Sequence, residues 1–181
     1  MKTRFAFVAA IVLALSVLAS GASDAATVKA SFDYHIGDGF LNNTGDKAAA
    51  ENGDVVTVTG GGAFDVVTKE ATGGGKFTHR AASGAVLATG TWKATELLAF
   101  QSYGDGSAQG LPAFLFGGRA ALVVALTPHG TTLQIPGILR VECLLGSPPG
   151  GAAEGIRLLV KGHVNFNKTV PESGQTVFVL H

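Results

Sequence analysis

Apolar positions along this chain alternate with polar or small ones over short runs, and glycine clusters separate the runs. That two-residue period is the signature of half-buried β-strands. Val55-Val56-Thr57-Val58-Thr59 is β-branched throughout, and Gly60-Gly61-Gly62 follows it, which predicts a strand ended by a turn. The pattern continues over 63–68 and 76–80, with Thr72-Gly73-Gly74-Gly75 between. The run 86–103 is long for one strand and predicts a bend near Gly90 or a break after Glu96. Beyond a loop at 104–112, the segments 119–127, 132–145, 155–167 and 175–180 carry the alternation again. Pro136 predicts a bulge, edge or bend, because proline cannot donate to a ladder. Thr59-Gly-Gly-Gly-Ala-Phe64 recurs thirteen positions later as Thr72-Gly-Gly-Gly-Lys-Phe77. We read the two copies as equivalent turn-into-strand corners of a meander, where glycine permits sharp curvature.

About eight to ten such strands, with no convincing helical period, predict an all-β, antiparallel domain. A closed barrel, calycin-like in plan, and a two-sheet sandwich both fit; sequential hairpins and glycine corners favour the barrel. The choice bears on function, since a barrel of about eight strands encloses one small ligand. Ahead of the strands lie Lys2 and Arg4, an apolar run over 5–18 broken only by Ser16, and a small-residue stretch through Ala25 and Ala26. These are the three regions of a cleavable secretory signal peptide. The expected organisation is a signal peptide at 1–25 and a single β-rich domain at 26–181, secreted or periplasmic. A spanning helix needs about 20 apolar residues; no stretch reaches that length, so no membrane insertion of the mature chain is expected.

Composition narrows the function classes. Thirteen basic residues balance thirteen acidic ones, so nothing attracts nucleic acid electrostatically. Cys143 is the only cysteine, which excludes an intramolecular disulfide, a Cys-x-x-Cys site and covalent haem attachment. There is no Gly-x-Ser-x-Gly elbow and no His-Glu-x-x-His pair, and Gly75-Lys76 runs into Phe77 where a phosphate loop needs Ser or Thr. No cofactor is expected, and oligomeric state is left open.

Three groups of residues could carry chemistry. In Asp33-Tyr34-His35-Ile36-Gly37-Asp38 the first carboxylate and the imidazole share a strand face, and Asp38 follows at a turn. Asp33, His35 and Asp38 are therefore the candidate metal ligands. The letters resemble the Asp-x-His and Gly-Asp motifs of metallophosphoesterases, which sit far apart on a larger α/β scaffold. Alternation from Leu139 to Leu145 puts Cys143 on an apolar face, as a buried and inert thiol. It puts Arg140 and Glu142 on the other face, where Arg157, Lys161, His163 and Asn165 join them if the two runs form a hairpin. This strip is either a solvated face of charge pairs or the mouth of a site for a polar or anionic ligand. Tyr103 and Phe114, flanking and within the aromatic-tipped loop, complete the candidate ligand-binding set. Gly90-Thr91-Trp92 resembles the Gly-x-Trp of lipocalin and avidin-like barrels, which opens the first strand in those families and falls mid-chain here.

The leading expectation is an exported, non-catalytic binding or structural module. One alternative is a small-barrel enzyme with His163, or His79, as general base beside Glu142 and Arg140. Another is a surface protein that assembles through exposed strand edges.

Overall fold

The computed structural model describes residues 30–42, 44–171 and 175–181. The expected signal peptide lies outside them. Ten strands form one antiparallel sheet: β1 (Ser31–Ile36), β2 (Asp46–Ala49), β3 (Val55–Asp65), β4 (Gly74–Arg80), β5 (Val86–Asp105), β6 (Leu115–Pro128), β7 (Ile135–Cys143), β8 (Gly155–Val160), β9 (Lys168–Thr169) and β10 (Thr176–Leu180). A single 3-10 turn, Gly106–Gln109, separates β5 from β6, and no α-helix occurs among the described residues. No helix there is long and apolar enough to cross a membrane.

The sheet closes on itself. Strands β3 to β6 pair in sequence, and their two ends are joined differently. At one end β10 pairs with Leu115 and Phe116 of β6, then β1 pairs with β10 and with 60–65 of β3. At the other end β7 pairs with β6, β8 with β7, and β2 with both β3 and β9. A bridge between Leu158 and Phe166 fastens β8 to the segment that leads into β9. The result is a ring of six paired strands at one end, and at the other a second ring that the Leu158–Phe166 bridge completes, the two sharing β3 to β6.

Two expectations change. The glycine runs are strand interiors rather than corners: Gly60 and Gly61 face Gly75 and Gly74 across β3 and β4, while Gly60–Gly62 also pair with β1. A Cβ on Gly75 would stand 1.8 Å from the Thr59 carbonyl oxygen, and one on Gly62 2.1 Å from that of Thr72. Backbone meets backbone there with no room for a side chain, which lets the sheet bend sharply enough to close. Likewise 86–105 is one strand of 20 residues, not two. It absorbs curvature through irregularities at 94–96, 97–99 and 102–104, as bulges do. Pro136 sits just beyond the last β7–β8 pair, Gly137 with Val160, where no ladder needs its missing donor.

Inward-facing side chains fill the ring. Phe32, Phe64, Phe100 and Phe178 cluster with ring centroids 4.8 to 5.9 Å apart in their contacting pairs. The two polar aromatics in the core are satisfied. The Tyr34 hydroxyl donates to the Thr72 carbonyl at 2.9 Å, and Trp92 Nε1 donates to that of Thr59 at 3.0 Å. Phe77 packs over Gly90, where a Cβ would stand 2.6 Å from its ring, so the Gly-x-Trp residues serve core packing in mid-strand.

Candidate functional site

The interior is not filled everywhere. At the end where β4, β6 and β8 finish, a cavity of about 290 Å³ lies among Val56, Phe77, Leu126, Leu158, Val160 and Phe166, roofed by Ala88, Pro128, Ile135 and Val164. Among the described residues, two imidazoles, His79 and His163, are the only ionisable side chains in its wall. His79 follows Phe77 by two residues on the inward face of β4, its ring edge-on to Phe166 at 5.1 Å. The β3–β4 pairing sets Val56 against His79 and so brings Asp54, just before β3, alongside. His79 Nε2 and Asp54 Oδ2 are 2.9 Å apart. That hydrogen bond holds the Asp54 carboxyl below the ordinary aspartate range, against the opposing effect of burial; donors from Asn52 and Ala82 add to it.

His163 reaches this cavity by a correction to the expected strand. β8 ends at Val160, and Lys161-Gly162-His163 turn, with the His163 amide donating to the Val160 carbonyl at 3.1 Å. Gly162 takes φ +76°, where a glycine is at ease. The turn breaks the alternation that would have kept Lys161, His163 and Asn165 on the face of Arg140 and Arg157, and the register, with Val160 opposite Gly137, already sets them beyond the far end of the hairpin. Lys161 and Asn165 are exposed near the cavity end, and Asn165 Oδ1 accepts from the Val160 amide at 3.1 Å.

The rest of the expected strip lies at the opposite end, and only part of it gathers. Glu142 is 1% exposed on the outer face of β7. Its Oε1 accepts from Arg119 Nη2 at 2.7 Å, Arg119 Nε at 3.0 Å and the Tyr103 hydroxyl at 2.8 Å, while Oε2 accepts from Arg157 Nη1 at 3.0 Å. Burial pushes the Glu142 carboxyl up, but the donors from Arg119 and Tyr103 and the nearby guanidinium charges win and hold it below the usual range. Arg140, directly opposite Arg157 on the neighbouring strand, stays exposed outside this cluster. His163, Glu142 and Arg140 are therefore not one catalytic group: the carboxylate's acceptor oxygens are engaged by Arg119, Arg157 and Tyr103. Phe114 is 53% exposed in the loop before β6, whereas the Tyr103 hydroxyl is buried against Glu142.

The expected metal ligands also divide. His35 Nδ1 lies 2.8 Å from Asp38 Oδ2, with the His35 ring stacked on Phe40 at 4.5 Å, whereas Asp33 Oδ1 pairs with His181 Nε2 at 2.8 Å. No group of three or more His, Cys, Asp or Glu side chains is placed to hold a metal among the described residues.

Cys143 is buried as expected, and burial pushes its thiol up to about 12. It forms part of the wall of an open cleft of about 520 Å³ between Phe40, Leu111 and Thr176. In that cleft burial lifts the Glu154 carboxyl above the ordinary glutamate range, although it accepts from the Leu144 amide at 2.7 Å and the Thr176 hydroxyl at 2.6 Å. Both Glu154 oxygens are thereby engaged in tying the 144–154 loop to β10.

Two site residues escaped the sequence reading. Arg119 was legible had β6 been paired with β7, since the alternation sets it opposite Glu142. Asp54 carries no signal beyond its place before a strand. Compared with protein-family models, curated proteins and solved structures, the chain matches none of them.

Proposed function

We propose that this chain is an exported, non-catalytic β-barrel module, calycin-like in plan, that holds a small apolar ligand in the cavity between β4 and β8. The observation that carries the reading is the cavity itself: about 290 Å³, walled by aliphatic and aromatic side chains, with two imidazoles set into it. Ligand sites run from about 300 to 1,000 Å³ and are mostly apolar with a few placed polar groups, so the occupant is small. Ring closure supports binding over assembly through strand edges, because β1, β3, β4, β5, β6 and β10 each have strand partners on both sides. The leader expected at 1–25 supports export to the periplasm or outside the cell. Calorimetric titration of the purified protein with benzyl alcohol tests the reading. Saturable binding that Ala88→Phe abolishes supports it, and no heat with any apolar probe of that size ends it.

A second reading, a small-barrel enzyme with an imidazole base, rests on the Asp54–His79 contact at 2.9 Å. A carboxylate that orients an imidazole is the arrangement general-base catalysis uses. Native mass spectrometry separates the two readings: a co-purified compound that stays unchanged on the protein favours binding, and one converted with time favours the enzyme.

A further inference from the structure

We infer that the ligand is a weak organic acid, a small aromatic or branched apolar body bearing one carboxylate, held with its head between His79 and His163; this rests on the cavity-binding reading. The wall divides by chemistry. Val56, Phe77, Leu126, Leu158 and Phe166 are nearly fully buried and offer only apolar contact. His79 is part-buried in the wall, and His163 is exposed at the rim. An apolar body gains by entering, while a polar head buried without a partner would weaken binding. The imidazoles are the only charged or chargeable partners that the wall supplies.

The sign of the head follows from the charges around it. Asp54 is engaged by His79 and is not part of the wall, so it offsets one imidazolium and leaves the other uncompensated. Lys161 stands on the same turn as His163, and Lys76 and His129 line the groove that shares Phe77 and Pro128 with the cavity. With both imidazoles protonated, the pair and Asp54 together carry one net positive charge, which one carboxylate neutralises. With both neutral, Asp54 is the nearest fixed charge to His79 and only Lys161 and Lys76 still attract, so the attraction weakens. An acid is therefore held more tightly while the imidazoles are protonated than when they are neutral. An ammonium head meets the opposite balance.

Three probes of one shape test this: benzoate, benzyl alcohol and benzylamine, titrated calorimetrically at about pH 5.5 and about pH 8. Benzoate is expected to bind about tenfold or more tightly at the lower pH than at the higher, and more tightly there than benzyl alcohol, whose affinity stays constant. His163→Gln is expected to bring benzoate's affinity at the lower pH down to that of benzyl alcohol for the same variant. If benzyl alcohol binds but benzoate gains nothing at low pH, or if benzylamine binds best, the acid assignment is overturned and the cavity reading stands. If none of the three binds at either pH, the cavity reading itself fails and takes this inference with it.

Discussion

Arg119 and Glu142 stand directly opposite one another on β6 and β7, and the guanidinium reaches Glu142 Oε1 twice, from Nη2 at 2.7 Å and from Nε at 3.0 Å. Two nitrogens on one oxygen leave Oε2 for Arg157, so a single buried carboxylate organises three neighbouring strands and the Tyr103 hydroxyl. A buried ion pair adds little against an apolar substitute, but removing one partner leaves charge and donors stranded.

Glu142→Ala is therefore expected to destabilise the protein by roughly 3–5 kcal/mol. The lower end applies because Arg119 and Arg157 keep some access to water. Urea denaturation measures it; a loss within experimental error of zero would mean the cluster is incidental. The pH dependence has a definite sign. A carboxyl held below its unfolded value contributes stability above the ordinary glutamate range and loses it as the pH falls through the depressed folded value. The variant should show a shallower acid limb than the parent protein.

The glycine seam gives a second, sharper contrast. Gly75→Ala puts a methyl 1.8 Å from the Thr59 carbonyl oxygen, so β3 and β4 must part; the expected loss exceeds about 3 kcal/mol. Gly150→Ala meets nothing within 4 Å and has no positive φ, and is expected to stay within about 0.5 kcal/mol of the parent. Equal melting temperatures for the two variants would show that the seam does not close the ring as described.

Cys143 is expected to resist a thiol reagent at mildly alkaline pH, since its thiol is buried and pushed up to about 12. One equivalent should react after unfolding in urea. Fast labelling of the native protein would show that the cleft wall opens.

Ala88→Phe is expected to fill the cavity between β4 and β8 and abolish probe binding, at a cost in stability of no more than about 3 kcal/mol. Retention of the probe at full affinity would place its site elsewhere.

How much of this was legible depended on range. Period-two alternation carried the strands, because each such residue reports only which face it takes, and that is local. Cys143 was read correctly for the same reason. The glycine runs were misread because a glycine in a turn and a glycine under a crossing backbone have the same letter; only the facing of Gly60 with Gly75 tells them apart. The polar strip failed on register. Antiparallel pairing sets Gly155 against Glu142 and Val160 against Gly137, so His163 falls at the other end of the hairpin from Glu142, which no count of alternating letters registers. Asp54 and His79 meet across a hairpin 25 residues apart, and Arg119 and Glu142 across 23, so both sites needed the pairing of strands before they could be seen.

At the cavity end the ring is fastened between Leu158 and Phe166 by just two main-chain hydrogen bonds, of 3.0 and 2.9 Å. The side chains of the same two residues line the cavity. A guest therefore leans on the clasp that shuts its own container. Occupancy and fraying of that clasp become opposing sides of one equilibrium, so amide hydrogens at these two positions are the reporters that should slow first when the space is taken.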